Sequence, residues 1–69
     1  MGMETKELRD RSNNYLGRIE QVWPGYLEGY SKSNRHIGKY DIDRDETYDE
    51  SNRLYGRGNL LAVLITAAD

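Results

Sequence analysis

Polar and apolar positions alternate with a period of two through much of the chain. His36, Gly38, Tyr40 and Ile42 fall on one face of an extended segment, and Ile37, Lys39, Asp41 and Asp43 on the other. Earlier, Tyr15, Gly17, Ile19 and Gln21 share a face, while Arg18 and Glu20 take the opposite one. Successive side chains of a strand point to opposite sides, so this pattern predicts β-strands. Trp23-Pro24-Gly25 and Asp43-Arg44-Asp45 carry turn-forming residues that would separate them. The expected fold is a small all-β domain, an antiparallel meander of about six short strands.

Two segments leave the secondary structure open, and with it an α+β alternative carrying an N-terminal or C-terminal helix. Residues 3–22 also suit an amphipathic helix, with Leu8, Tyr15, Ile19 and Val22 near one stripe, although Gly17 inside the span weakens it. Residues 60–68, Leu-Leu-Ala-Val-Leu-Ile-Thr-Ala-Ala, are apolar without any period. They could be a strand buried on both faces or a short buried helix. The absence of a helix cap before them favours the strand.

Within the alternation lies an internal repeat. Residues 7–18, 28–39 and 46–57 align without gaps, and Glu, Ser, Asn and Gly are identical in all three. An apolar or aromatic residue precedes each Gly (Leu16, Ile37, Tyr55), and a cation comes directly after it (Arg18, Lys39, Arg57). Ser and Asn bond nearby backbone, and Asn tolerates a left-handed conformation, so Ser-Asn marks a turn. Each unit therefore reads as a β-hairpin, with units over about 7–22, 28–43 and 46–61 of a single domain. If Ser33-Asn34-Arg35 forms the loop, Tyr30 lies opposite Gly38, and the same register sets Tyr48 opposite Gly56. An aromatic ring covering a strand glycine would give that pairing a packing role.

The third unit resembles the tyrosine–aspartate (YD) repeats of bacterial shell-forming proteins. The likeness rests on residues 46–60, on Thr47-Tyr48-Asp49-Glu50-Ser51-Asn52-Arg53-Leu54 and then Gly58-Asn59-Leu60. Unit two has Tyr30-Ser31 and unit one Arg9-Asp10 where Tyr-Asp should stand. The resemblance implies β-hairpins with a structural or display role and brings no catalytic residues.

Length and composition narrow the function classes. A 69-residue chain with 36% hydrophobic residues, no Phe and a mean hydropathy of −0.95 has little material for a core. Without cysteine, disulfides and thiolate metal sites are excluded, which leaves oligomerisation or an oxygen-ligated metal as a staple. A net charge of −2 with mixed signs argues against nucleic acid and anionic membrane as partners. The N-terminus shows no apolar leader region, and the run from Leu60 to Ile65 is too short to span a bilayer, so a cytoplasmic location is the default expectation.

Four groups carry candidate chemistry. Asp41, Asp43 and Asp45 have the alternating carboxylates that open an EF-hand calcium loop, but Glu46 stands where the loop needs Gly and Asn52 where it needs a bidentate Glu. A solvated acidic turn explains them without calcium. Arg18, Lys39 and Arg57 recur at one repeat position and could form a binding face, with a surface of ion pairs involving Glu20 and Asp41 as the simpler reading. Trp23 and the tyrosines could stack on carbohydrate, or could themselves fill a core that lacks Phe. His36 occupies the repeat slot of Tyr15 and Leu54, which favours packing over acid–base work. No nucleophile elbow or phosphate-cradling glycine loop is present, so an enzyme is not expected.

The apolar C-terminal segment, as an exposed strand, would template aggregation and must be covered internally or by another chain. Self-association through Leu60, Leu61, Val63, Leu64 and Ile65 is the expected mechanism. The sequence thus points to a non-enzymatic structural or interaction module, a homo-oligomer or one with a protein partner. A small calcium- or carbohydrate-binding module is the alternative.

Overall fold

A computed structural model describes residues 4–68; Met1–Met3 and Asp69, with the parts of the leader and residue 3–22 readings that fall on them, lie outside the described residues. The chain forms β1 (Thr5–Arg9), β2 (Tyr15–Trp23), β3 (Tyr26–Ser31), β4 (His36–Asp41), β5 (Glu46–Asp49), β6 (Leu54–Arg57) and α1 (Leu61–Ala68). The six strands make one antiparallel sheet in sequence order, as the alternation predicts. Over its described residues the N-terminal stretch is strand, and the helical alternative there does not hold. Each repeat unit is a hairpin: β1–β2, β3–β4 and β5–β6.

The three repeat turns share one geometry. The loops are Arg11-Ser12-Asn13, Lys32-Ser33-Asn34 and Glu50-Ser51-Asn52, and the repeated Asn has a φ of 68°, 67° and 64° respectively. That left-handed residue closes a three-residue loop, and Asn reaches it more cheaply than most side chains. The residue before each loop supports it from the side chain. Asp10 Oδ1 accepts from the amides of Ser12 and Asn14, Ser31 Oγ from those of Ser33 and Arg35, and Asp49 Oδ1 from those of Ser51 and Arg53. The full turn motif is therefore (Asp/Ser)-x-Ser-Asn-x. The bonds from Asn14 hold the Asp10 carboxyl below its ordinary pKa, because they favour the charged form.

After each turn comes a bulge, and it corrects the expected register. Tyr30 pairs with His36 and Gly29 with Gly38, so Ile37 is the extra residue. Leu16 and Tyr55 are extra in the same way in units one and three. Tyr30 therefore does not face Gly38, nor Tyr48 Gly56; Tyr48 pairs with Leu54 and Thr47 with Gly56. Because the loop begins one residue earlier than Ser33, the partner of Tyr30 moves by two residues, from Gly38 to His36, and the bulge then moves the pairing beyond it back by one. A bulge also rotates the strand beyond it, which puts His36 on the same face as Lys39 rather than with Gly38.

The C-terminal segment is a helix and not a strand, the second correction. It crosses one face of the sheet and packs on β2, β3 and β4. Leu61 and Ile65, one helical turn apart, are 0% and 2% exposed and form the core with Ile37. The repeat glycines together with Gly29 are its seat. A side chain at Gly17 would meet Ile65, at Gly29 both Leu61 and Ile65, at Gly38 Leu64, and at Gly56 Leu60. With buried Ser31 and Thr47 these positions form a trough of small residues, so helix and sheet approach closely enough for a thin core to be dry. Among the described residues no helix is long and apolar enough to cross a membrane.

Thr47 anchors the helix entry. Its buried Oγ1 donates to the Gly58 carbonyl at 2.6 Å and accepts from the Leu60 amide at 2.9 Å, while Asn59 Oδ1 accepts from the Leu61 amide at 3.2 Å. Asn59, directly before the apolar run, is thus a local cap that the strand reading passed over, and Thr47 adds a second from β5. Thr47→Val keeps the shape and removes both bonds, leaving the Leu60 amide and the Gly58 carbonyl part-buried and unpaired. A loss of about 2–4 kcal/mol is expected in urea unfolding, against less than about 1 kcal/mol for Thr47→Ser.

Candidate interaction surface

The helix covers one face of the sheet and leaves the other open. Cross-strand pairing sets its contents in rows. One row runs Glu7, Arg18, Tyr30, His36; the next Thr5, Glu20, Glu28, Lys39, Tyr48, Leu54; a third Tyr26, Asp41, Glu46, Arg57. The three cations of the repeat do share this face, but they do not stand in one row. Each lies one two-residue step further along the strand direction than the last, because every hairpin carries a bulge.

Two of these cations rest on tyrosine rings. The Arg18 guanidinium lies 4.3 Å from the Tyr30 ring centroid, and the Lys39 ammonium 5.3 Å from that of Tyr26 and 5.8 Å from that of Tyr48. Contact of a cation with a ring face is worth about 0.5–1 kcal/mol at an exposed site. Arg18 also pairs with Glu20 at 2.6 Å, which raises its pKa further. This is a pair along one strand, not the cross-strand ladder expected. Tyr48 donates to Glu46 at 2.6 Å, and the carboxylate holds the phenol proton above its usual pKa.

His36 belongs to this surface. Its Nε2 lies 2.6 Å from Glu28 Oε1, and its ring meets Tyr30 edge-on at 5.4 Å. Sequence reasoning placed it in a packing slot and missed both partners, since they depend on the loop starting at Lys32 rather than Ser33. Tyr26, Lys39 and Tyr48 line a shallow hollow with Asp41, Arg44 and Asn52. Trp23 is 63% exposed at the β2–β3 turn and does not line it. Trp23, Tyr26 and Tyr55 are thus exposed and the other tyrosines half-buried, and the core expected of them is formed by Leu61, Ile65 and Ile37.

The three aspartates of the calcium reading do not converge. Asp41 is turned toward the Arg44 amide at 3.2 Å, and Asp45 accepts from the Tyr40 hydroxyl, which raises the phenol pKa. Among the described residues no group of three or more Asp, Glu or His side chains could hold a metal ion. A tight turn spends its carboxylates on its own donors. Of the residues expected to self-associate, Leu61 and Ile65 are buried under the sheet, Leu60 and Leu64 touch Gly56 and Gly38, and only Val63, 50% exposed, points outward. Most of the segment is therefore covered within the chain by the sheet. Comparison with family models, curated proteins and solved structures finds no match to the chain.

Proposed function

We propose that the chain is a non-enzymatic structural or protein-interaction module whose working surface is the open face of the sheet. The observation that carries this reading is the uncovered face on which Tyr26, Tyr30 and Tyr48 hold Arg18 and Lys39 in place. Tyr and Arg are the residue types that concentrate binding energy at protein interfaces, and side chains already fixed lose less entropy on binding. A solvated face needs no such scaffolding. The nearest partner class is another protein with mixed charge, since acids and bases alternate across the rows.

The test is affinity capture by the native chain and by a Tyr26→Ala/His36→Ala double variant. Both residues are exposed, so the fold should survive. A partner held by the native chain should be retained at least about tenfold less by the variant. Equal retention, with Val63→Ser abolishing it instead, would move the working surface to the helix and restore self-association or partner binding through the C-terminal segment. A second reading, carbohydrate binding, is favoured by the hollow between Tyr26 and Tyr48, where Asp41, Arg44 and Asn52 supply hydrogen bonds beside aromatic walls.

A further inference from the structure

The repeat gives the two edges of the sheet different characters. Unit one docks on unit two through β2 and β3, and unit two on unit three through β4 and β5, in one register. Gly17 pairs with Ser31 and Arg18 with Tyr30; Gly38 pairs with Asp49 and Lys39 with Tyr48. In both joints the cation after the glycine lies over the tyrosine of the next unit. The cation is a clasp between consecutive hairpins.

Arg57 is the third clasp, and among the described residues β6 is the last strand of the sheet, so no fourth unit there supplies its tyrosine. The rest of the third unit shows the same missing neighbour. Tyr55 is 46% exposed where Ile37, at the same repeat position, is 4% exposed. At the other edge, β1 carries Lys6, Glu7 and Arg9, the charged side chains that protect an edge strand. Arg9 stands at the repeat position of Tyr30 and Tyr48 and is tied to Glu7 at 3.0 Å. A second copy that paired its β1 with β6 in the common register would set Arg9 against Arg57, a like-charge pair.

We propose that the outer edge of β6 is a docking site for one strand of the pattern Glu-x-Tyr-(Ser/Asp), the leading strand of a further hairpin of this kind carried by a chain other than a second copy. It rests on the interaction-module reading but uses a different surface from the open face. The added strand bonds the free backbone edge over Leu54–Arg57, lays its tyrosine under the Arg57 guanidinium and shields Leu54 and Tyr55. The chain bends at Gly58, whose φ is 83°, so the new ladder stays short and the binding weak and fast.

The experiment is an NMR titration of the whole chain with a synthetic hairpin peptide of residues 24–43, which carries Glu28-Gly29-Tyr30-Ser31. Saturable shifts at the amides of residues 54–57, with slowed hydrogen exchange there, are expected. A peptide with Tyr30→Arg should bind roughly tenfold or more weaker, through repulsion from Arg57. Arg57→Ala in the protein should weaken the native peptide about two- to fivefold. Shifts confined to β1, to the helix or to the open face would overturn the proposal, as would equal binding of the two peptides. Concentration-dependent shifts at both β1 and β6 without peptide would also overturn it, because they would make a second copy the occupant. Tyr26→Ala/His36→Ala leaves the β6 edge intact, so the failure of one proposal is separable from that of the other.

Discussion

Gly38→Ala is expected to cost about 3–5 kcal/mol, a large share of the total stability of a chain this size, which is roughly 3–10 kcal/mol. The added Cβ would run into the Tyr48 carbonyl oxygen and lie 3.0 Å from Leu64 Cδ1. A backbone carbonyl in a sheet ladder cannot rotate away as a side chain can, so β4 and β5 must separate or the helix must lift. The other glycines calibrate this. At Gly29 the new atom meets only the ends of Leu61 and Ile65, at 3.2 and 3.3 Å, and the loss should be about 1–2 kcal/mol. At Gly25 the nearest atom is Asp43 Oδ2 at 3.7 Å, and the change should fall within about 0.5 kcal/mol of the native chain. Urea unfolding monitored by circular dichroism ranks the three. If Gly38→Ala proved no worse than Gly25→Ala, the close packing of helix, glycine and ladder would be wrong.

The second large effect concerns the helix that occupies the trough. Leu61→Ala and Ile65→Ala should each cost about 2–5 kcal/mol, because each empties a fully buried site in the core. Together they should release the helix. An eight-residue segment cannot hold helical structure on its own in water, so the double variant should lose its helical signal. It would also bare the apolar floor over Gly29 and Ile37 and should aggregate. Val63→Ala, on the outward side, should change stability by less than about 1 kcal/mol. Retention of the native near-ultraviolet spectrum by the double variant would contradict a core centred on these two residues.

Both predictions turn on glycine, and the reason each unit carries one could not be read from the chain. The sequence suggests a tyrosine lying across each glycine, a local repair. The earlier start of each loop and the bulges at Leu16, Ile37 and Tyr55 break that register. The space over the glycines is filled instead by residues 60–65, which lie about five residues from Gly56 but nearly fifty from Gly17. A bulge has no compositional mark, and a helix seat requires knowing which element passes overhead.

The candidate site divides along the same line. The shared face of Arg18, Lys39 and Arg57 is legible, since strand alternation alone puts equivalent repeat positions on one side. Their tyrosine partners are not, because cross-strand neighbours depend on the turn register. One signal could have found them: the column of the repeat holding Arg9, Tyr30 and Tyr48 is aromatic wherever a cation of the preceding unit needs a ring.

The approximate number of strands, their antiparallel order, the hairpin unit and the place of each turn to within a residue were legible in the residues alone. These depend on side-chain alternation and on the local bonding of Ser, Asn and Asp, which act over a few residues. The helical form of the apolar tail was settled mainly by tertiary contacts, with Asn59 as a local cap, because a segment without period takes the form its contacts reward. Here those contacts are a glycine trough that admits a helix and a Thr47 hydroxyl that caps it. The same packing set which face stays open, and so turned the cation after each glycine from an unexplained repeat residue into the joint between one hairpin and the next.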